Sequence, residues 1–154
     1  MSEKIFFYGL FINRQNVISV LRGMKGREIG EAVLKDHRIA FYGHATPQPE
    51  EGKTVYGVLW EVETLAHFDA VEGFNEDAPT DGYYRREKVI VRGIDGKNHE
   101  AWIYVMNNHC RGEGETAYQS YLEGMIKEAS TLGFPEEYVD DLLEYVALTE
   151  TQIY

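Results

Sequence analysis

One cysteine in 154 residues, Cys110, leaves no partner for an internal disulfide and no thiolate set for a structural zinc. Basic residues are scarce: 15 Lys and Arg stand against 26 Asp and Glu, a formal net charge of −11 at pH 7. Phosphate backbones are bound largely by Lys and Arg, so this balance argues against nucleic acid as a partner. An anionic small molecule is still admissible, provided backbone N–H groups or a local arginine hold it. No apolar run approaches the roughly 20 residues needed to span a bilayer, and no membrane partner is expected. The amino terminus, Met1-Ser2-Glu3-Lys4, lacks the charged-then-apolar layout of a secretory signal, so the expected location is cytoplasmic. The histidines, His37, His44, His67, His99 and His109, are scattered with no i, i+4 pair, and His109-Cys110 with Glu113 is too thin a cluster to predict a metal. No serine lies in a nucleophile elbow and no phosphate loop is present. The length suits one domain over residues 1–154.

What the chain has in quantity is tyrosine, 11 residues, whose hydroxyls must find partners when buried and which lean towards a polar-lined cavity. Lys4–Tyr8 reads as a first strand stopped by Gly9, and Asn13 caps a helix over 14–24 with Val17, Val20, Leu21 and Met24 on one face. Strands are expected over 31–42 and 54–62, separated by a loop at 43–53 that contains Pro47 and Pro49. A loop at 74–82 follows, then strands over 84–92 and 99–106 joined by an Asp95-Gly96 hairpin turn. Residues 107–115 read as a mobile connection and 116–132 as a helix ended by Gly133. Pro135 opens a last helix with Tyr138, Val139, Leu142, Leu143 and Val146 as its apolar stripe. The order predicts an α+β fold on a mainly antiparallel sheet, with room for closure into a barrel.

One short helix stands out, residues 64–73, capped by Thr64 and stopped by Gly73. At ~100° per residue, Glu72 projects from the side that carries Leu65 and Phe68. Apolar surroundings and the negative end of the helix dipole both raise a carboxyl pKa, and a carboxyl near neutrality suits general acid–base work. Two other features can join it. The turn Tyr8-Gly9-Leu10-Phe11 carries a glycine that admits close backbone approach, with free N–H groups suited to a carboxylate. Tyr83, Tyr84 and Tyr104 lie on strands that flank the helix in sequence.

Taken in order, these stretches resemble the gamma-glutamylcyclotransferase-like family, which also includes the gamma-glutamylamine cyclotransferases and the plant AIG2-like proteins. The resemblance rests on the Tyr8-Gly9 turn, Val55-Tyr56-Gly57-Val58-Leu59-Trp60, Phe68-Asp69-Ala70-Val71-Glu72-Gly73-Phe74, Tyr84-Arg85-Arg86, and Ala101-Trp102-Ile103-Tyr104-Val105. The tail adds Tyr118–Gly124 and Leu132–Tyr138. The resemblance implies a small mixed, mainly antiparallel β-barrel with outer helices and a pocket at one barrel end. It implies that backbone N–H groups of the Tyr8–Phe11 turn hold a glutamyl carboxylate and that Glu72 is the acid–base. Tyr84 and Tyr104 would donate hydrogen bonds to the substrate or to Glu72. The implied reaction is ring closure of a small gamma-glutamyl substrate to 5-oxoproline with release of an amine or peptide, needing no metal or cofactor. The chain departs from the family at Leu10 and Phe11, where a serine or threonine followed by Leu or Asn is common. That departure keeps a second expectation open, a non-catalytic binding or sequestering protein on the same fold.

Overall fold

The computed structural model describes residues 2–150. Its first strand, β1 (Glu3–Phe7), buries Ile5, Phe6 and Phe7 in succession, the pattern of a strand covered on both faces. Helix α1 (Arg14–Leu21) starts at Asn13, whose side chain accepts from the N–H groups of Gln15 and Asn16. It ends earlier than the apolar spacing suggests, because Arg22 and Gly23 turn left-handed (φ 49° and 83°) and leave Met24 outside.

Strand β2 (Gly26–Val62) is extended throughout. A straight strand of that length would run about 120 Å, far beyond the size of a domain, so it doubles back. Positive φ at Gly30, Asp36, Gly43 and Gly52 marks the bends, and Asp36 Oδ1 accepts from the Gly52 N–H at 3.0 Å. The loop expected at 43–53 is thus strand, and the strand expected from 31 begins at Gly26. Proline donates no ladder bond but tolerates extended backbone, and side chains from elsewhere take over the pairing. The Thr46 hydroxyl accepts from the Met106 N–H at 3.0 Å, and the Ala45 carbonyl accepts from the Tyr84 hydroxyl at 2.8 Å.

Helix α2 (Ala66–Glu72) follows, with Leu65 and Phe68 buried; the Thr64 hydroxyl accepts weakly from the Ala66 N–H at 3.4 Å. Strands β3 (Tyr84–Gly93) and β4 (Asn98–Met106) pair antiparallel across the turn at Asp95-Gly96. The stretch 107–115 is tied down rather than loose: Asn107 is buried and donates to the Gly82 carbonyl, and Glu115 is gripped by Arg38. Residues expected to open the next helix instead form β5 (Thr116–Tyr118), paired parallel to Tyr42 and Gly43, ahead of α3 (Gln119–Thr131). Helix α4 (Glu136–Leu143) buries Tyr138 and Leu142, while Leu143 and Val146 are exposed. There the chain tightens into a 3₁₀ turn over Glu144–Leu148, whose three residues per turn put the stripe out of phase. A two-residue strand, β6 (Thr149–Glu150), pairs with β5.

The sheet order is β1-β4-β3-β2-β5-β6, and β1 also pairs with β2, which closes a mixed barrel with four helices outside. None of these helices is long and apolar enough to cross a membrane. Closure requires tight contact at Gly57, where a Cβ would strike the Phe7 carbonyl and lie 2.6 Å from the Phe6 ring. Gly57→Ala is therefore expected to cost roughly 1–3 kcal/mol, read as a lower urea midpoint with an unchanged m-value.

Candidate active site

Where β1 ends, the chain turns through Tyr8 and Gly9 into a short 3₁₀ helix, Leu10–Ile12. The Ile12 and Asn13 N–H groups bond back to the Gly9 and Leu10 carbonyls, which leaves the first-turn N–H groups of Leu10 and Phe11 without helical partners. Tyr8 is buried, and its hydroxyl donates to the Tyr104 carbonyl at 2.6 Å, tying the turn to β4. The Leu10 side chain is directed at α3, where a glycine, Gly124, makes room for it.

Tyr8, Gly9, Leu10, Phe11, Glu72, Tyr84 and Tyr104 all line one cavity of about 620 Å³ at this end of the barrel. Glu72 is the last residue of α2, stopped by Gly73 at φ 71°. Its carboxylate is half-buried and has no hydrogen bond or ion pair among the described residues. Burial pushes its pKa up to about 7. The side chains around it are tyrosines. Burial raises the pKa of Tyr8, Tyr84, Tyr104 and Tyr121, and the Glu72 charge adds to each.

The tyrosine hydroxyls are already engaged. Tyr84 donates to the Ala45 carbonyl at 2.8 Å and Tyr104 to Asp69 Oδ1 at 2.7 Å. Their protons therefore point at the protein, whereas the resemblance implied donation to substrate or to Glu72. Tyr83 lines the same wall, 3.4 Å from His44 Nδ1.

Among the lining residues that escaped the sequence reading are Tyr121 and His44. Tyr121 was expected only as part of an apolar helix stripe, yet its hydroxyl stands over Gly9, where a Cβ would overlap it. The N–H groups of Ala45 and Leu10 point at that hydroxyl and oppose the rise caused by burial. His44 was set aside with the scattered histidines. It packs 5.0 Å from both the Tyr118 and Tyr121 rings, and burial lowers its pKa. The tyrosine-rich tail was the available signal for Tyr121; nothing in the spacing pointed to His44. Among the described residues no group of three or more His, Cys, Asp or Glu is placed to hold a metal ion.

A family model described as gamma-glutamyl cyclotransferase, AIG2-like, matches residues 5–123. A protein of Methanocaldococcus jannaschii that bears a provisional gamma-glutamylcyclotransferase name is 28% identical over 117 residues, 70% of this chain and 88% of that one. A solved structure named gamma-glutamyl cyclotransferase superposes with a TM-score of 0.75 at 21% identity, covering 100% of this chain and 91% of the other. An uncharacterized human protein gives a TM-score of 0.75 at 22% identity, over 99% of this chain and 90% of its own. The two structural likenesses concern the fold.

The buried carboxyl has a measurable cost. A folded-state pKa above the unfolded value means that the folded protein binds more protons between about pH 4.5 and 7, so stability falls as pH rises through that window. Glu72→Gln removes the titration. It is expected to unfold at higher denaturant than the parent above pH 7, by at most about 3 kcal/mol, with the advantage vanishing towards pH 4. Parallel denaturant titrations at stepped pH measure it.

Proposed function

The chain belongs to the gamma-glutamyl cyclotransferase, AIG2-like family, and on that premise we propose that it catalyses intramolecular aminolysis of a gamma-glutamyl amide or peptide, releasing 5-oxoproline. The observation that carries the reading is an unpaired carboxyl with a pKa of about 7 in the same cavity as the Gly9 turn. In this reading the glutamyl carboxylate lies against the backbone of the Tyr8–Phe11 turn. The Glu72 carboxylate takes a proton from the α-ammonium, and the freed amine attacks its own γ-carbonyl carbon. A C–N bond closes the five-membered ring and the original amide C–N bond breaks. Glu72 passes to the departing nitrogen the proton taken from the ammonium and then the second proton that the ring nitrogen sheds as it becomes the lactam N–H, so the amine leaves as an ammonium ion. No water is consumed and the proton count balances. Because nucleophile and electrophile belong to one molecule, the cavity has mainly to select the ring-closing conformer, a task the chain's own residues can perform without a cofactor. A single carboxyl serves both proton transfers best when its pKa lies near the working pH.

A second reading, binding without turnover, draws on the Tyr121 hydroxyl, which already occupies the space over Gly9 and faces the Leu10 N–H. Incubation with a panel of gamma-glutamyl peptides and amines, followed by assay of 5-oxoproline, separates the two. The enzyme is expected to release 5-oxoproline at a rate that rises with pH through about 7, as Glu72 ionises. Glu72→Gln should lower that rate by about 10²–10⁴-fold. Tight metabolite binding with no product from any member of the panel would select the second reading.

A further inference from the structure

The mechanism leaves one buried set of charges unused. Asp69 sits one helical turn before Glu72 on α2, and its carboxylate bridges two residues that face each other across the β3–β4 ladder, Tyr104 and Arg86. Asp69 Oδ1 accepts from the Tyr104 hydroxyl at 2.7 Å, and Asp69 Oδ2 pairs with Arg86 Nη1 at 3.2 Å. The Arg86 side chain is 8% exposed, its guanidinium 4.7 Å from the ring centres of both Phe74 and Trp102, and its Nη2 reaches Glu76 at 2.6 Å. Arg86 Nε has no partner among the described residues. A buried ion pair of this kind is weak evidence for stability alone, because desolvation consumes much of the attraction. The Asp69 carbonyl meanwhile accepts from the Phe74 N–H at 2.9 Å and from the Gly73 N–H, closing the helix end that carries Glu72.

We propose that Asp69 and Arg86 are positioning residues that hold the Tyr104 hydroxyl towards the cavity as a hydrogen-bond acceptor for the substrate's amine. The assignment rests on the cyclotransferase reading. Burial raises the Asp69 pKa, and the Tyr104 hydroxyl and Arg86 both work against that rise; an ionised carboxylate can only accept, so the single Tyr104 proton goes to Asp69. What Tyr104 retains for the cavity is its oxygen lone pairs, close enough to Glu72 to feel its charge. An acceptor beside a carboxylate suits an N–H donor, which in a gamma-glutamyl substrate is the α-ammonium. Loss of the negative charge at Asp69 frees the hydroxyl to turn and donate, which reverses the polarity of that wall.

Steady-state kinetics of 5-oxoproline release test this with Asp69→Asn, Tyr104→Phe, their double variant, Arg86→Met and Arg86→Lys. Asp69→Asn and Tyr104→Phe are each expected to lower kcat/KM by about 10²-fold, with the double variant no worse than either. Arg86→Lys should retain most of the activity that Arg86→Met loses. Losses that multiply in the double variant, or a folded Arg86→Met with parental kcat/KM, would overturn the proposal. A second readout needs no turnover. With carbon-13 at tyrosine Cζ, the Tyr104 resonance should move in Asp69→Asn and in Arg86→Met, and an unmoved resonance in both contradicts the assignment. If Arg86→Met does not fold, Asp69→Asn against Arg86→Lys carries the same comparison. Protein that releases no 5-oxoproline while the Tyr104 resonance responds refutes the cyclotransferase reading and supports the hold on Tyr104.

Discussion

β1 is hydrogen-bonded along both edges, antiparallel to β2 and parallel to β4, and the rest of the molecule is arranged around that double pairing. A strand flanked in this way has no free edge, and the core packs on both faces of its last three residues, Ile5, Phe6 and Phe7, while Glu3 and Lys4 stay half-exposed. The close approach at Gly57 follows from the same geometry. Because β1 stops at Phe7, the Tyr8-Gly9 turn emerges at the barrel end, and the Tyr8 hydroxyl fastens it to β4 through the Tyr104 carbonyl. The cavity opens at that end. Its position is thus a consequence of where a short apolar strand runs out.

Within the cavity the energetics run against stability. A carboxyl at the end of α2 is buried among tyrosines with no donor to stabilise its charge, and its pKa climbs towards neutrality as a result. The neighbouring hydroxyls and the second carboxylate are engaged: Tyr8 and Tyr84 by carbonyls, Tyr104 by Asp69, Asp69 by Arg86. That contrast between one unpartnered carboxyl and its hydrogen-bonded neighbours is what the proposed acid–base role draws on, proton affinity being raised at the expense of folding free energy.

The departure at Leu10 has a structural counterpart. Leu10 turns its side chain towards Gly124 on α3, and its N–H faces the hydroxyl of Tyr121 from the same helix. A hydroxyl is therefore present at the turn, supplied by α3 instead of by the turn itself. The periodicity of residues 116–132 identified Tyr121 as belonging to the inward face of a helix. It could not reveal that the inward face of α3 meets a cavity at that point and core at Leu122 and Met125. The same limitation explains β5: three residues with helix-compatible spacing become strand because an edge at Tyr42 and Gly43 is available to pair with them.

The residue order alone was enough for the α+β class, for β1, α2 and the Asp95-Gly96 hairpin, and for Glu72 as a carboxyl on the wrong side of its helix. These rest on interactions within a few positions of one another, namely capping, alternation and turn chemistry. Tertiary structure decided the rest. It made 43–53 strand rather than loop, because partners more than 35 residues away, Tyr84 and Met106, satisfy Ala45 and Thr46. It placed Tyr121 and His44 in the cavity, and it linked Arg86 to Tyr104 through a carboxylate on α2. Each of those outcomes depends on which surfaces meet when the barrel closes, and no local pattern encodes a meeting between segments so far apart along the chain.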